Sequence, residues 1–137
     1  MTDGGCVADP NWLLRITKPL EDKNTDIVAG FYKMIAENAF EKAEAVYLGV
    51  KSKGFNEKFL PSTRSIAFRK AAWNIIGGFP TKTNSTAEDT LFNFNAIKMK
   101  LNIKRVKNAT VYWQMPNRLL DYGNKIFAYA KGDVETG

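Results

Sequence analysis

The sequence predicts an α/β protein, part of a mixed sheet flanked by helices. Two observations carry that expectation. Short β-prone runs are each separated from the next by a segment with helical spacing, the alternation expected of helices packed on a sheet. The composition is globular, with 45% hydrophobic and 25% charged residues, no repeat and no low-complexity stretch. At 137 residues the chain is long enough for one domain, or for half of a larger one.

Taken in order, the first nine residues hold Asp3, Asp9 and two glycines, which is loop chemistry. Asp9 and Pro10 suit the start of a helix, and Trp12, Leu13, Ile16 and Leu20 give it helical spacing until Pro19 ends or bends it. The apolar run Ile27 to Tyr32 predicts a strand between Asp26 and Met34. Residues 37–46, rich in Ala and Glu, predict a helix. A loop follows over 51–61, anchored by Phe55, Phe59 and Leu60. Residues 65–69 alternate polar and apolar and predict a short half-buried strand. Residues 70–76 fit a short helix stopped by Gly77 and Gly78, with Phe79-Pro80 as a rigid turn. A polar loop, 81–86, leads to a helix over 87–101, with Thr86 as its cap and Asp89 three residues on. Residues 105–113 alternate again and predict a strand. A final aromatic-rich helix is expected over 119–131, with a fraying tail from Gly132.

The chain has 20 Lys and Arg against 14 Asp and Glu, a net charge of +6. The basic residues are scattered. Their nearest approach to a cluster, Lys98 to Lys107, reads as a helix end followed by an amphipathic strand, so no nucleic-acid partner is expected. There is one cysteine, Cys6, and no histidine. Those counts exclude an internal disulfide, a Cys/His zinc site and any Ser-His-Asp or Cys-His arrangement within the chain. Acid–base chemistry falls to carboxylates, Lys or Tyr, and any metal should be a hard cation held by oxygen. No apolar run approaches the roughly 20 residues of a membrane span, and the opening residues are not a signal peptide. The expected location is cytoplasmic, at most against the cytoplasmic face of the membrane.

Four constellations can carry chemistry. Asp3, followed by Gly4 and Gly5, can bind a divalent cation while a diphosphate approaches closely; the plain alternative is an Asp-Gly turn. Glu88 and Asp89 stand at a helix start, where one can cap the helix and the other can take a proton from an incoming hydroxyl; the plain alternative is two capping acids. Arg64 and Arg69 flank a predicted strand on opposite faces, so at most one serves a phosphate or carboxylate and the other is solvated. Tyr122, Phe127 and Tyr129 on the last helix fit a core face, with Lys125 and Lys131 within reach of a diphosphate.

The order of these segments is more specific than any one of them. Thr-Asp-Gly-Gly-Cys is followed by Asp-Pro-Asn-Trp-Leu, Asp-Ile-Val-Ala-Gly-Phe-Tyr, Arg-Ser-Ile-Ala-Phe-Arg-Lys and Ile-Gly-Gly-Phe-Pro. Ala-Glu-Asp-Thr-Leu-Phe, Ala-Thr-Val-Tyr-Trp and Tyr-Ala-Lys-Gly-Asp complete the series. From Thr2 to Asp133 this series resembles the carboxyl-terminal half of family 2 glycosyltransferases, which have the GT-A fold. The resemblance implies a partial GT-A-like sheet lacking its amino-terminal nucleotide-binding strands.

It further implies a nucleotide-sugar donor, a saccharide or lipid-linked acceptor, and inverting transfer assisted by Mn²⁺ or Mg²⁺. Asp3 takes the place of the first acid of the Asp-x-Asp metal motif, whose second acid is replaced here by Gly5. Asp89 takes the place of the catalytic base, preceded by Glu88. Gly4, Gly5, Arg64, Gly78 and Lys131 are the candidate substrate-binding residues. The Gln-x-x-Arg-Trp motif of processive members is absent from the sequence. The chain alone is expected to transfer no sugar and to require the amino-terminal half or self-association. A non-catalytic assembly module that keeps the fold is the alternative.

Overall fold

A computed structural model of the protein describes residues 1–51, 53–80, 88–116 and 118–136. They form a curled, mixed four-stranded sheet with helices on both faces. The strands are β1 (Cys6–Ala8), β2 (Ile27–Ile35), β3 (Ile66–Phe68) and β4 (Ile103–Gln114). Their order across the sheet is β1-β4-β2-β3. β2 and β4 run parallel in the centre, and the two short strands pair antiparallel at the edges.

β1 was not foreseen. Three residues are too few to show a period, and the strand exists because the outer edge of β4 offers unpaired peptide groups to Cys6, Val7 and Ala8. The turn before it is closed by Cys6 N–H donating to Asp3 O at 3.3 Å. Gly5 provides the positive φ of 81° that this turn needs.

Helix α1 (Trp12–Thr17) starts three residues after Asp9, the expected cap: Asn11 takes the N-cap position without a side-chain bond, and Asp9 closes the turn before the helix. Asp9 Oδ1 accepts from the Asn11 N–H at 3.0 Å and from Arg15 Nη1 at 3.0 Å, while the Asp9 carbonyl accepts from Trp12 N–H. Trp12 and Ile16 turn inward; Leu13 turns out to solvent. Pro19 redirects the chain into a tight turn, Lys18–Glu21, of 3-10 geometry.

Trp12 and Ile16 pack with Val28, Tyr32, Ala109 and Val111 to make the core of one sheet face. Its centre is a close approach of three backbones. The Trp12 indole donates to Ser65 Oγ at 2.9 Å, Ser65 Oγ donates to Ala109 O at 3.2 Å, and Gly30 N–H donates to Ser65 O at 2.8 Å. A Cβ on Gly30 would overlap Ser65 Oγ and come within 2.6 Å of Ala109 O, so only glycine fits. At this point the β2–β4 register jumps, with Gly30 opposite Val106 and Phe31 opposite Thr110. The three residues 107–109 bulge out, re-aiming the second half of β4 toward β1.

The other face carries α3 (Lys70–Ile76) and α4 (Glu88–Lys98) over Ile27, Ile66, Ala72, Ile76, Phe92 and Ala96. Gly77 ends α3 with φ 87°, as the Gly-Gly pair predicts. The expected polar loop 81–86, the Thr86 cap and residue 87 lie outside the described residues.

Helix α2 (Ala39–Leu48) is shifted two residues from its expected span by a cap at Asn38, whose Oδ1 accepts from Glu41 N–H at 2.9 Å while Glu41 Oε2 accepts from Glu37 N–H. Helix α5 (Leu119–Thr136) runs past Lys131, where fraying was expected. A glycine inside a helix costs about 1 kcal/mol relative to alanine. That cost at Gly132 does not stop a helix whose inner face is anchored by Phe40 against Tyr122, Trp113 against Lys125 and Arg64 against Tyr129. Among the described residues no helix is long and apolar enough to cross a membrane.

Candidate functional site

A cavity of about 470 Å³ opens beside the ends of β3 and β4, between the amino-terminal turn, α2, α4 and α5. Its position follows from the fold. The first residue is tied to the outer side of β3: the Met1 ammonium donates to Ile66 O at 2.6 Å and Ile66 N–H donates to Met1 O at 3.2 Å. That pairing aims Asp3 at the cavity, where its Oδ2 accepts from Thr63 Oγ1 at 2.9 Å. On another wall, Glu88, Asp89 and Thr90 form the first turn of α4. The positive end of the helix dipole favours carboxylates there.

Arg64 is the cation that faces these acids among the described lining residues. The turn Ser62–Ser65 presents it, closed by Ser65 N–H donating to Ser62 O at 2.9 Å. Its Nη1 donates to Ser62 Oγ at 3.0 Å and its Nη2 to the Tyr129 hydroxyl at 2.9 Å. Its guanidinium carbon sits 3.9 Å from the centre of the Trp113 ring and 5.2 Å from that of Tyr32. Lys125 Nζ lies 4.1 Å from the same Trp113 ring. Such contacts attract a cation to the ring face.

Burial governs the titration of these groups. It raises the phenols of Tyr129 and Tyr32 above their ordinary value, with Arg64 opposing the rise in both. It lowers the Lys125 ammonium, and the neighbouring Arg64 charge lowers it further. The Cys6 thiol is raised by burial and then by Asp3.

The cavity thus brings together Asp3, Arg64, Glu88 and Asp89, drawn from three separate parts of the chain. It does not bring in the other four candidates. Gly4 and Gly5 follow Asp3 in an exposed turn; neither lines the cavity. Gly78 is buried on the α3 side, where a Cβ would meet the Trp73 ring at 2.8 Å, so its role is packing. Lys131 is exposed on α5 and does not line the cavity.

Arg69 corrects another expectation. It is not solvated, but clamps the turn after α1 by donating to the carbonyls of Leu20, Asp22 and Thr25. Arg64 and Arg69 thus serve different regions, each lying just outside β3: Arg64 in the turn before it and Arg69 at the start of α3.

Sequence reasoning missed Tyr47, Leu48, Thr63 and Trp113 as lining residues, and read Tyr129 as core. The tyrosine spacing on α5 does mark its inner face. Nothing in the local pattern around Tyr47 distinguishes it from any surface residue of a helix.

Chemically, the arrangement offers carboxylates that can accept protons or hydrogen bonds and a hydroxyl and carboxylate pair, Thr63 and Asp3, made of hard oxygen donors. Among the described residues no three of His, Cys, Asp and Glu are grouped to hold a metal ion. Compared with known proteins, the chain matches no protein-family model and none of the curated sequences.

Proposed function

We propose that this chain is the carboxyl-terminal half of a GT-A-type catalytic domain and supplies the acceptor-activating side of an inverting, nucleotide-sugar-dependent glycosyltransferase. The observation that carries the reading is that Asp3 and Asp89 line one cavity at the end of a mixed sheet. Open α/β sheets bind ligands where strand ends meet loops and helix starts.

In this reading the Asp89 carboxylate takes the proton of the acceptor hydroxyl. The hydroxyl oxygen forms a bond to the anomeric carbon from the face opposite the leaving group. The bond from that carbon to the diphosphate oxygen breaks, and its electron pair leaves with the nucleoside diphosphate. Glu88, next to the base at the same helix start, accepts hydrogen bonds from neighbouring acceptor hydroxyls. Arg64, held rigid by Ser62, Tyr129 and Trp113, places positive charge beside the cavity where negative charge develops.

Asp3 and Thr63 are hard oxygen donors of the type that would hold Mn²⁺ or Mg²⁺ here. When bound, such a cation neutralises the leaving diphosphate.

In this reading Asp3 would hold the donor's diphosphate through a divalent cation, so the chain binds donor by itself, while turnover requires the amino-terminal half or a second copy. The single acid at Asp3, with Gly5 in the second acid's place, favours one further reading: an assembly module that keeps the fold without catalysis. Calorimetry with UDP-sugars and Mn²⁺ separates the two. Metal-dependent heat that disappears in Asp3→Asn supports the transferase reading; no heat with any donor supports the module.

A further inference from the structure

The cavity's lining is unbalanced in charge and divided in polarity. Three carboxylates, Asp3, Glu88 and Asp89, face one cation among the described lining residues. That cation, Arg64, is already hydrogen-bonded to Ser62 and Tyr129 and laid against Trp113. The α2 wall is of another kind: Tyr47 and Leu48 line the cavity, and Tyr47 is 78% exposed.

We infer that the acceptor taken at this cavity is an uncharged saccharide, with one pyranose ring stacked on Tyr47 and its hydroxyls directed to Glu88 and Asp89. The inference rests on the transferase reading and adds the acceptor's chemical class to it. A phosphorylated or carboxylated acceptor would bring like charge against Glu88 and Asp89, and such juxtaposition is strongly unfavourable. An uncharged polyol reverses the situation, because every hydroxyl is a donor and carboxylates only accept.

The apolar wall fits the rest of a sugar. A pyranose carries C–H groups on its ring faces, and their positive edges match the negative face of an aromatic ring. Tyr47 has open ring surface at the cavity mouth, whereas Trp113 is 7% exposed and covered by Arg64 and Lys125. Tyr47 is therefore the aromatic side chain of the lining best placed to offer a free face. Its exposure also means that replacing it leaves the core intact.

Saturation-transfer NMR on the full chain tests this with cellobiose, maltose and chitobiose as neutral probes and glucose 1-phosphate as the charged one. Transfer to at least one disaccharide, about tenfold weaker binding in Tyr47→Ala, retention in Tyr47→Phe, and no transfer to glucose 1-phosphate are expected. Equal or stronger binding of glucose 1-phosphate, disaccharide binding indifferent to Tyr47→Ala, or no disaccharide binding would each overturn the inference. Calorimetry with UDP-sugars and Mn²⁺ on the same sample keeps the two readings apart. Donor heat without disaccharide binding ends only the acceptor assignment; absence of both ends the transferase reading with it.

Discussion

Arg64 reaches from the turn before β3 to the hydroxyl of Tyr129 on the last helix, at 2.9 Å. Other side-chain attachments on the inner face of α5 are Tyr122 against Phe40 and Lys125 against Trp113. Positions 122, 125 and 129 recur at helical spacing. Leu120, Phe127 and Val134 point away from that face and are strongly exposed. Helix α5 is therefore held over the cavity through polar and aromatic contacts, and no large apolar side chain described on it is buried.

Removing the phenol hydroxyl should loosen that helix selectively. Tyr129→Phe is expected to cost about 1 kcal/mol, the usual net value of one hydrogen bond. Amide exchange should quicken along α5 and stay unchanged in β2 and β4. Uniform acceleration across the sheet would show instead that α5 and the core open together.

Glu44 gives a pH dependence of definite sign. Its residue is 3% exposed, and neither carboxylate oxygen has a hydrogen-bond partner. The group is shut from water at the periphery of the fold, facing Glu41 on its own helix and Lys125 on α5. Desolvation raises its pKa first, Glu41 raises it further, and Lys125 opposes the rise. The folded state therefore holds this proton more tightly than the unfolded chain does. Below the ordinary carboxylate range both states are protonated and the group costs nothing. As pH rises through that range to the raised value, stability falls, and above it the loss stays constant. Glu44→Gln should remove this component, so urea midpoints of variant and parent should converge in acid and separate at neutral pH, with the variant higher. A gap that is independent of pH would contradict the assignment.

Gly30→Ala should be severely destabilising, by about 3 kcal/mol, since overpacking at a site with no room typically costs 1–3 kcal/mol. Adding Ser65→Ala removes the overlap with Oγ but leaves Ala109 O at 2.6 Å from the new Cβ. The double variant should recover only part of the loss in a denaturation midpoint. Full recovery would mean that β4 shifts freely at its bulge.

At the site, the two aspartates should separate binding from proton transfer. Asp3→Asn is expected to abolish Mn²⁺-dependent heat with a UDP-sugar, whereas Asp89→Asn should leave it within about twofold, because a general base acts on the acceptor proton and not on the donor. Loss of donor heat in Asp89→Asn would move that residue to the metal side.

Elements with their own period or punctuation were legible in the sequence. The apolar run of β2, the alternation of β3 and β4, and the glycine stop of α3 each appear within two residues or so of their expected places. What escaped was set by tertiary partners. β1 depends on an edge created by the β4 bulge, and α5 outlasts Gly132 because Tyr122, Lys125 and Tyr129 find partners elsewhere. The same division holds at the site. Asp3, Glu88 and Asp89 stood out as charges beside glycines or at a helix start, and Arg64 as a charge flanking a predicted strand. Gly78 stood out as well, but its reason is the Trp73 ring. Tyr47 and Trp113 reach the cavity through the fold alone, and Lys131 lies outside its lining.

Trp113 also makes the site visible to light. The protein has three tryptophans: Trp12 is locked to Ser65 in one core, Trp73 lies in an aromatic stack on the other face, and Trp113 lines the cavity under two cations. Indole emission responds to nearby charge, so anything that displaces Arg64 or lifts Lys125 writes itself into the fluorescence of that one ring. With Trp12 and Trp73 replaced by phenylalanine, the protein becomes its own optical gauge of occupancy, with no attached dye.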